Sequence, residues 1–148
     1  MPNVPALVGE GITSVSRNAR VSDEEMKQAM DLLTGMGKAS EIPEHLIDAV
    51  VGVSGSSPAY VFLFIEAMAD GAVAAGMPRS QAYEFAAQAV LGSAKMVLET
   101  GKHPGELKDM VCSPGGTTIQ AVKVLEEKGF RAAVMDAMEA CIAKSKSL

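Results

Sequence analysis

From Glu44 to the C-terminus apolar residues recur every three or four positions, and this spacing predicts helices over 44–52, 57–75, 79–99, 104–111, 116–128 and 130–146. The breaks carry the residues that stop helices: Gly76-Met77-Pro78, Gly101 to Pro104, Ser113 to Gly116, and Gly129. The first forty or so residues follow another pattern. A Pro-rich start, Met1-Pro2-Asn3-Val4-Pro5, leads into a short alternating run from Gly11 to Ser16 that reads as a strand. Ser22 then stands as the cap of a helix whose first turn holds Asp23, Glu24 and Glu25, where carboxylates meet the positive helix end. Met26, Met30 and Leu33 give that helix an apolar stripe, Gly37 is placed to close it, and 38–42 form a second strand before Pro43. The predicted order is strand, helix, strand, then helices alone.

Two of the helices carry too little polar surface to stand alone. The run Pro58-Ala59-Tyr60-Val61-Phe62-Leu63-Phe64-Ile65 opens a helix whose only charges through Gly76 are Glu66 and Asp70. Its uninterrupted apolar stretch is shorter than the ~20 residues a bilayer requires, and two carboxylates sit mid-helix, so no membrane span is expected. A helix apolar nearly all round is buried on several sides, which in a chain this short implies a partner subunit. On the next helix Glu84, Gln88, Lys95 and Glu99 form one narrow polar stripe, leaving Phe85, Ala86, Ala89, Val90, Ala94 and Val97 to pack. Small residues such as Ala72, Ala75, Ala86 and Ala87 let helix axes approach closely. The expectation is an intertwined helical homodimer.

Composition narrows the function classes. A chain of 148 residues forms one ordinary domain with at most a small appendage. A net charge of -5 argues against nucleic acid or an anionic membrane, since either needs a basic face, so any anionic ligand has to be held locally. Cys112 and Cys141 are too few and too far apart for a disulfide framework, and neither they nor His45 and His103 show metal-ligand spacing, so no metal site is expected. No signal peptide opens the sequence, and a cytoplasmic location is expected.

The stretch Asp109-Met110-Val111-Cys112-Ser113-Pro114-Gly115-Gly116-Thr117-Thr118-Ile119 carries the candidate chemistry. A short helix ends, a Ser-Pro-Gly-Gly turn follows, and another helix begins. Gly115 and Gly116 leave backbone N–H groups unobstructed, and with the helix dipole they suit a carboxylate or phosphate, while Thr117 and Thr118 add hydroxyls. The same residues also suit an ordinary capping turn, and turn chemistry alone does not separate the two. Lys95 offers a rival site, as helical domains of hydroxyacid dehydrogenases present a catalytic lysine from a long helix. Glu99 lies one turn on and can pair with it, which favours a structural role.

Lys108-Asp109 followed by Val111-Cys112-Ser113-Pro114-Gly115-Gly116-Thr117-Thr118 resembles the signature of the pyrroline-5-carboxylate reductases. Met1-Pro2-Asn3-Val4-Pro5, Leu46-Ile47-Asp48-Ala49-Val50, Ser54-Gly55-Ser56-Ser57-Pro58-Ala59-Tyr60, Leu91-Gly92-Ser93-Ala94-Lys95 and Gly129-Phe130-Arg131 fall in the order and spacing of the same family, with Ser57 where many relatives have glycine. The resemblance implies a mainly α fold: a helical-bundle dimerisation domain like the C-terminal domain of 6-phosphogluconate dehydrogenase, preceded by a small βαβ remnant of a Rossmann domain. It implies reduction of 1-pyrroline-5-carboxylate to L-proline with NADPH or NADH, in a homodimer or a higher oligomer.

Carried over by position, Ser113, Gly115, Gly116 and Thr117 match the loop that holds the substrate carboxylate. Thr118 matches the threonine facing the ring nitrogen, the catalytic candidate. Met1, Pro2 and Asn3 match the segment beside the nicotinamide, and Gly55, Ser56 and Pro58 the turn that begins the long dimer helix near the same cleft. The dinucleotide-binding domain of such a reductase opens on a Gly-rich turn after its first strand, and this sequence has none. Residues 1–43 then read as the last strand-helix-strand of that domain and 44–148 as the helical domain. The isolated chain is expected to be inactive and not to bind the cofactor productively. The alternative is a non-catalytic homodimerisation module.

Overall fold

The computed structural model describes all 148 residues, which divide into two compact units, Met1–Val61 with Met135–Leu148, and Phe62–Val134. In the first, β1 (Gly11–Val15) and β2 (Gly37–Glu41) pair in parallel, Gly11 opposite Gly37 and Val15 opposite Glu41, and α1 (Asp23–Leu33) makes the crossover. The Ser22 cap is reciprocal. Its hydroxyl accepts from the Glu25 N–H at 3.3 Å, and its own N–H donates to the Glu25 carboxylate at 2.9 Å. The Ser22 N–H and then its hydroxyl, which donates to the same carboxylate oxygen at 2.8 Å, hold the Glu25 carboxyl below its ordinary range. Met26 is the buried member of the α1 stripe, and Thr13 and Ser14 are buried on β1. At the carboxyl end of the sheet Arg17 binds both Glu41 and Asp23, tying the end of β2 to the start of α1.

Three details differ from the sequence reading. The Pro-rich start winds into a 3-10 turn over Val4–Val8, with Pro5 in its first turn where a missing N–H costs nothing. Gly37 does not close α1: the helix ends at Leu33, a 3-10 turn covers Thr34–Met36, and Gly37 opens β2 at φ 130°. A Cβ there would lie 2.1 Å from the Gly11 carbonyl oxygen, so glycine serves close approach of the strands. The predicted helix over 44–52 is a composite of a 3-10 turn (Glu44–Leu46), one α-turn, α2 (Ile47–Val50), and a π-helical turn (Val51–Gly55).

The π-turn is marked by the Ser56 N–H donating to the Val51 carbonyl at 2.8 Å, an i to i−5 bond. Pro58 supplies no N–H, and serine hydroxyls take up nearby carbonyls: Ser54 donates to Val50 at 3.1 Å and Ser57 to Val53 at 2.7 Å. The end of α7 (Phe130–Ser145) packs on this turn. Gly52 is buried beneath Ile142, Cys141 Sγ lies 3.0 Å from Ser56 Oγ, and Ser145 donates to Asp48 at 2.6 Å. Burial of Tyr60, and then its contact with Cys141, push the phenol pKa up.

The second unit holds most of α3 (Ser57–Ala74), all of α4 (Arg79–Thr100), α5 (Pro104–Val111) and α6 (Thr117–Glu127), and the beginning of α7. Its core is small: Ala69, Ala82 and Ala86, flanked by Ile65, Met68, Ala72, Val73 and Met77. Alanines at the α3–α4 contact allow close helix approach. An ion pair between Asp70 and Arg79 at 2.5 Å fastens the hairpin, with the guanidinium 5.4 Å from the centre of the Tyr83 ring. His103 is a capping residue, accepting the Gly105 N–H at 3.0 Å, with Pro104 at the first position of α5.

Only four apolar residues are buried: Met26, Ala69, Ala82 and Ala86. Phe62, Leu63, Phe85, Leu91 and Leu98 are all exposed. The accessible surface of 10483 Å² exceeds the about 7,200 Å² typical of a monomeric protein of this mass. Within the continuous helical stretch Glu44–Ala74 an 18-residue window reaches a mean hydropathy of 1.4, long and apolar enough to cross a membrane by length and composition, a criterion that counting the uninterrupted run missed. Of its carboxylates Glu44, Glu66 and Asp70 are exposed, Asp70 pairing with Arg79, and Asp48 is half-buried beneath Ser145.

Candidate functional site

α5 ends at Val111, and the Cys112 N–H closes it by donating to the Lys108 and Asp109 carbonyls at 3.2 and 3.1 Å. The chain then turns over Ser113–Gly116. Pro114 occupies the second position, Gly115 the third at φ 67°, and the Gly116 N–H donates to the Ser113 carbonyl at 3.0 Å, which defines a type II turn. Gly115 is required there because a side chain at that φ is strained. Gly116 is the N-cap of α6 in extended conformation, with no side-chain cap bond. A Cβ on Gly116 would stand 2.3 Å from Ser113 Oγ, so any larger residue displaces that hydroxyl.

The turn sorts the donors that the sequence had grouped together. The Gly116 N–H is used internally, whereas those of Gly115, Thr117 and Thr118 make no backbone hydrogen bond, and the Ser113, Thr117 and Thr118 hydroxyls bond to nothing within the chain. Three N–H groups, three hydroxyls and the positive end of an eleven-residue helix therefore gather within six residues. The nearest cation adds little, because Lys108 Nζ sits 2.5 Å from the Asp109 carboxylate, which raises the lysine pKa. An anion here would be held by neutral, directional donors. A signal for this sorting was present in the sequence, since Pro-Gly at the centre of a turn commits the N–H of the following residue to closing it.

The segment Met1–Asn3 belongs to the other unit. Met1 exchanges both main-chain hydrogen bonds with Ser14 on β1, donating at 2.6 Å and accepting at 3.1 Å. Asn3 Oδ1 accepts the Ile12 N–H at 2.9 Å, and Asn3 Nδ2 donates to the Ser54 carbonyl at 3.0 Å. Ser54 was not singled out from the sequence, and no pattern in the chain points to a contact 51 residues away. The Ser56–Cys141 contact escaped for the same reason. Lys95 Nζ is 3.5 Å from Glu99, both exposed, as a surface pair would be. No cluster of three or more His, Cys, Asp or Glu side chains is arranged to hold a metal ion. An open cavity of about 440 Å³ lined by His103, Pro104, Lys108, Leu125, Phe130 and Arg131 includes none of Ser113–Thr118.

Residues 44–148 match the family model for pyrroline-5-carboxylate reductase dimerisation. The chain belongs to that family. The pyrroline-5-carboxylate reductase of Escherichia coli K12 is 68% identical over all 148 residues, which are 55% of its length, and that of Arabidopsis thaliana is 51% identical over 54% of its length. Among solved structures, the Plasmodium falciparum pyrroline carboxylate reductase with NADP bound superposes with a TM-score of 0.92 at 38% identity, covering 99% of this chain and 60% of that one. The Coxiella burnetii pyrroline-5-carboxylate reductase gives 0.95 at 36% identity, covering 99% and 55%. The chain spans about half the length of the curated reductases it matches. The mainly α fold with a small parallel strand pair agrees with these structures.

Proposed function

We propose that this chain is the dimerisation and substrate-binding part of an enzyme that reduces 1-pyrroline-5-carboxylate to L-proline with NADPH or NADH. In this reading 1–43 complete a dinucleotide-binding domain, 44–148 form the helical domain, and two copies associate, with or without further assembly of dimers. The chain acts in the cytoplasm, where its acidic surface and apolar helix faces meet a second copy and neither nucleic acid nor membrane. The single observation that carries the reading is the Ser113–Gly116 turn at the head of α6, whose free N–H and hydroxyl groups suit a carboxylate, in a chain of this family.

The chemistry asks little of the protein beyond binding, orientation and exclusion of water. The N–H groups of Gly115, Thr117 and Thr118 and the Ser113 and Thr117 hydroxyls hold the carboxylate. That anchor points the ring, and the Thr118 hydroxyl hydrogen-bonds the ring nitrogen as it becomes an amine. Thr118 is the catalytic candidate in that limited sense, with no carboxylate pair or histidine needed.

Met1, Pro2 and Asn3 fit a nicotinamide neighbour through backbone and Met1 rather than through the Asn3 amide, part of which is already engaged. When bound, the cofactor supplies the hydride to the imine carbon. The isolated chain lacks most of the surface that would hold it and is expected to be inactive, so by itself it behaves as a dimerisation module.

The test is proline formation from pyrroline-5-carboxylate and NADPH by the protein as its gene encodes it. Gly116→Val should lower kcat/KM about 10- to 100-fold, mainly through the KM for pyrroline-5-carboxylate, the size of a lost charge-assisted hydrogen bond. Thr118→Ala should lower kcat by a similar factor with that KM little changed. A wild-type protein that forms no proline, or variants indistinguishable from it, would defeat the proposal.

A further inference from the structure

Asparagine is among the best helix N-caps, and Asn3 is the N-cap of the 3-10 turn Val4–Val8, yet its side chain does not cap it. The amide is directed to two other elements. Its oxygen takes the Ile12 N–H on β1, and its nitrogen donates to the Ser54 carbonyl inside the π-helical turn, in a half-buried setting. The same junction is closed on a second side, where the Met1 Cε lies 3.6 Å from the position a Cβ on Gly55 would take. The main chain of Met1 is itself pinned to Ser14. One side chain therefore joins three pieces: the N-terminal segment, strand β1, and the turn from which the long helix α3 departs.

The chemistry of the clamp is specific to an amide. One end must accept and the other must donate, both at short reach. Aspartate keeps the acceptor for Ile12 but sets a carboxylate oxygen against the Ser54 carbonyl, while alanine loses both bonds. The π-turn is the kind of element such a clamp would hold, because i to i−5 bonding is rare, occurs mostly as single turns within helices and is frequent at functional sites.

We propose that Asn3 is a positioning residue, whose side-chain amide fixes the Met1–Asn3 segment against the Val51–Gly55 turn and so sets the cofactor side of the cleft relative to the turn that begins the long helix. This rests on the reductase reading given above, in which Met1–Asn3 border the nicotinamide and Gly55, Ser56 and Pro58 border the same cleft. It replaces a direct cofactor contact by the Asn3 side chain with a role exerted through Ser54.

The test uses the full-length protein and two readouts. In steady-state proline formation, Asn3→Asp should lower kcat about 10- to 100-fold, the scale of an ångström-level misplacement, with the KM values for NADPH and pyrroline-5-carboxylate changed less than about threefold. In amide hydrogen exchange without cofactor, Asn3→Asp should speed exchange over 51–57 and leave Ile12 protected, whereas Asn3→Ala should speed both. A rise in the KM for NADPH at unchanged kcat would make Asn3 a cofactor ligand and overturn the proposal. Unchanged kinetics or unchanged exchange over 51–57 would overturn it as well. Variants that no longer fold would assign Asn3 to folding, against the proposal. If the wild type forms no proline the functional reading fails first, and the exchange data still report whether the clamp exists.

Discussion

Phe62 lies on the apolar face of α3 and is 59% exposed in the single chain. On a side chain of about 200 Å² that leaves about 120 Å² of aromatic surface in water. At about 25 cal/mol per Å², burying it against a second copy contributes about 3 kcal/mol. Alanine keeps a methyl group, so Phe62→Ala forfeits about 2.5 kcal/mol per copy, and a twofold interface uses the patch twice, about 5 kcal/mol per dimer. The dimer dissociation constant should rise by about 10³- to 10⁴-fold. Sedimentation velocity over a dilution series reads this directly, and far-ultraviolet circular dichroism at high concentration should be unchanged because Phe62 is no part of the chain's own core. An unaltered dissociation constant would refute the argument. The face bearing Phe62 would then lie outside the self-association surface.

Gly37→Ala should destabilise the strand-helix-strand unit by at least about 4 kcal/mol in urea unfolding, since its Cβ would meet the Gly11 backbone, whereas Gly9→Ala, also at positive φ but facing open space, should cost about 1 kcal/mol. The Arg17 guanidinium holds the Glu41 carboxyl below its ordinary range. A depressed carboxylate stabilises the fold above its unfolded pKa near 4.5 and loses that contribution as pH falls through the lower, folded value. The thermal midpoint should therefore drop below about pH 4.5, and Glu41→Gln should flatten the drop in that window; equal slopes in the two proteins would count against it. Lys95→Ala should leave both Tm and proline formation of the full-length protein unchanged, as an exposed i,i+4 pair predicts.

Much of this fold was legible because its boundaries are written in local chemistry. Pro78 and Gly101 bracket α4, His103 and Pro104 begin α5, and Ser22 with Glu25 begins α1, each acting within a few residues of the element it limits. The π-turn was not legible. Its apolar positions satisfy a helical period, and what unwinds it is remote: Ile142 over Gly52, Cys141 beside Ser56, and Asn3 on the Ser54 carbonyl. The candidate loop was half legible. Ser-Pro-Gly-Gly announces the turn and the N–H that closes it, but not that Gly116 caps α6 in extended conformation with no side-chain bond. Lys108 shows the converse, a cation beside the loop whose charge is already answered by its neighbour.

A chain that buries only four apolar side chains has little internal reserve against unfolding. If its helices are completed by a second copy, folding and assembly are a single equilibrium, and the melting temperature rises with protein concentration by mass action. Abundance then becomes a determinant of survival. At low synthesis rates newly made chains wait longer for a mate, with α3 and α4 open to proteases and to aggregation, so the cellular level of such a protein should respond more than proportionally to expression.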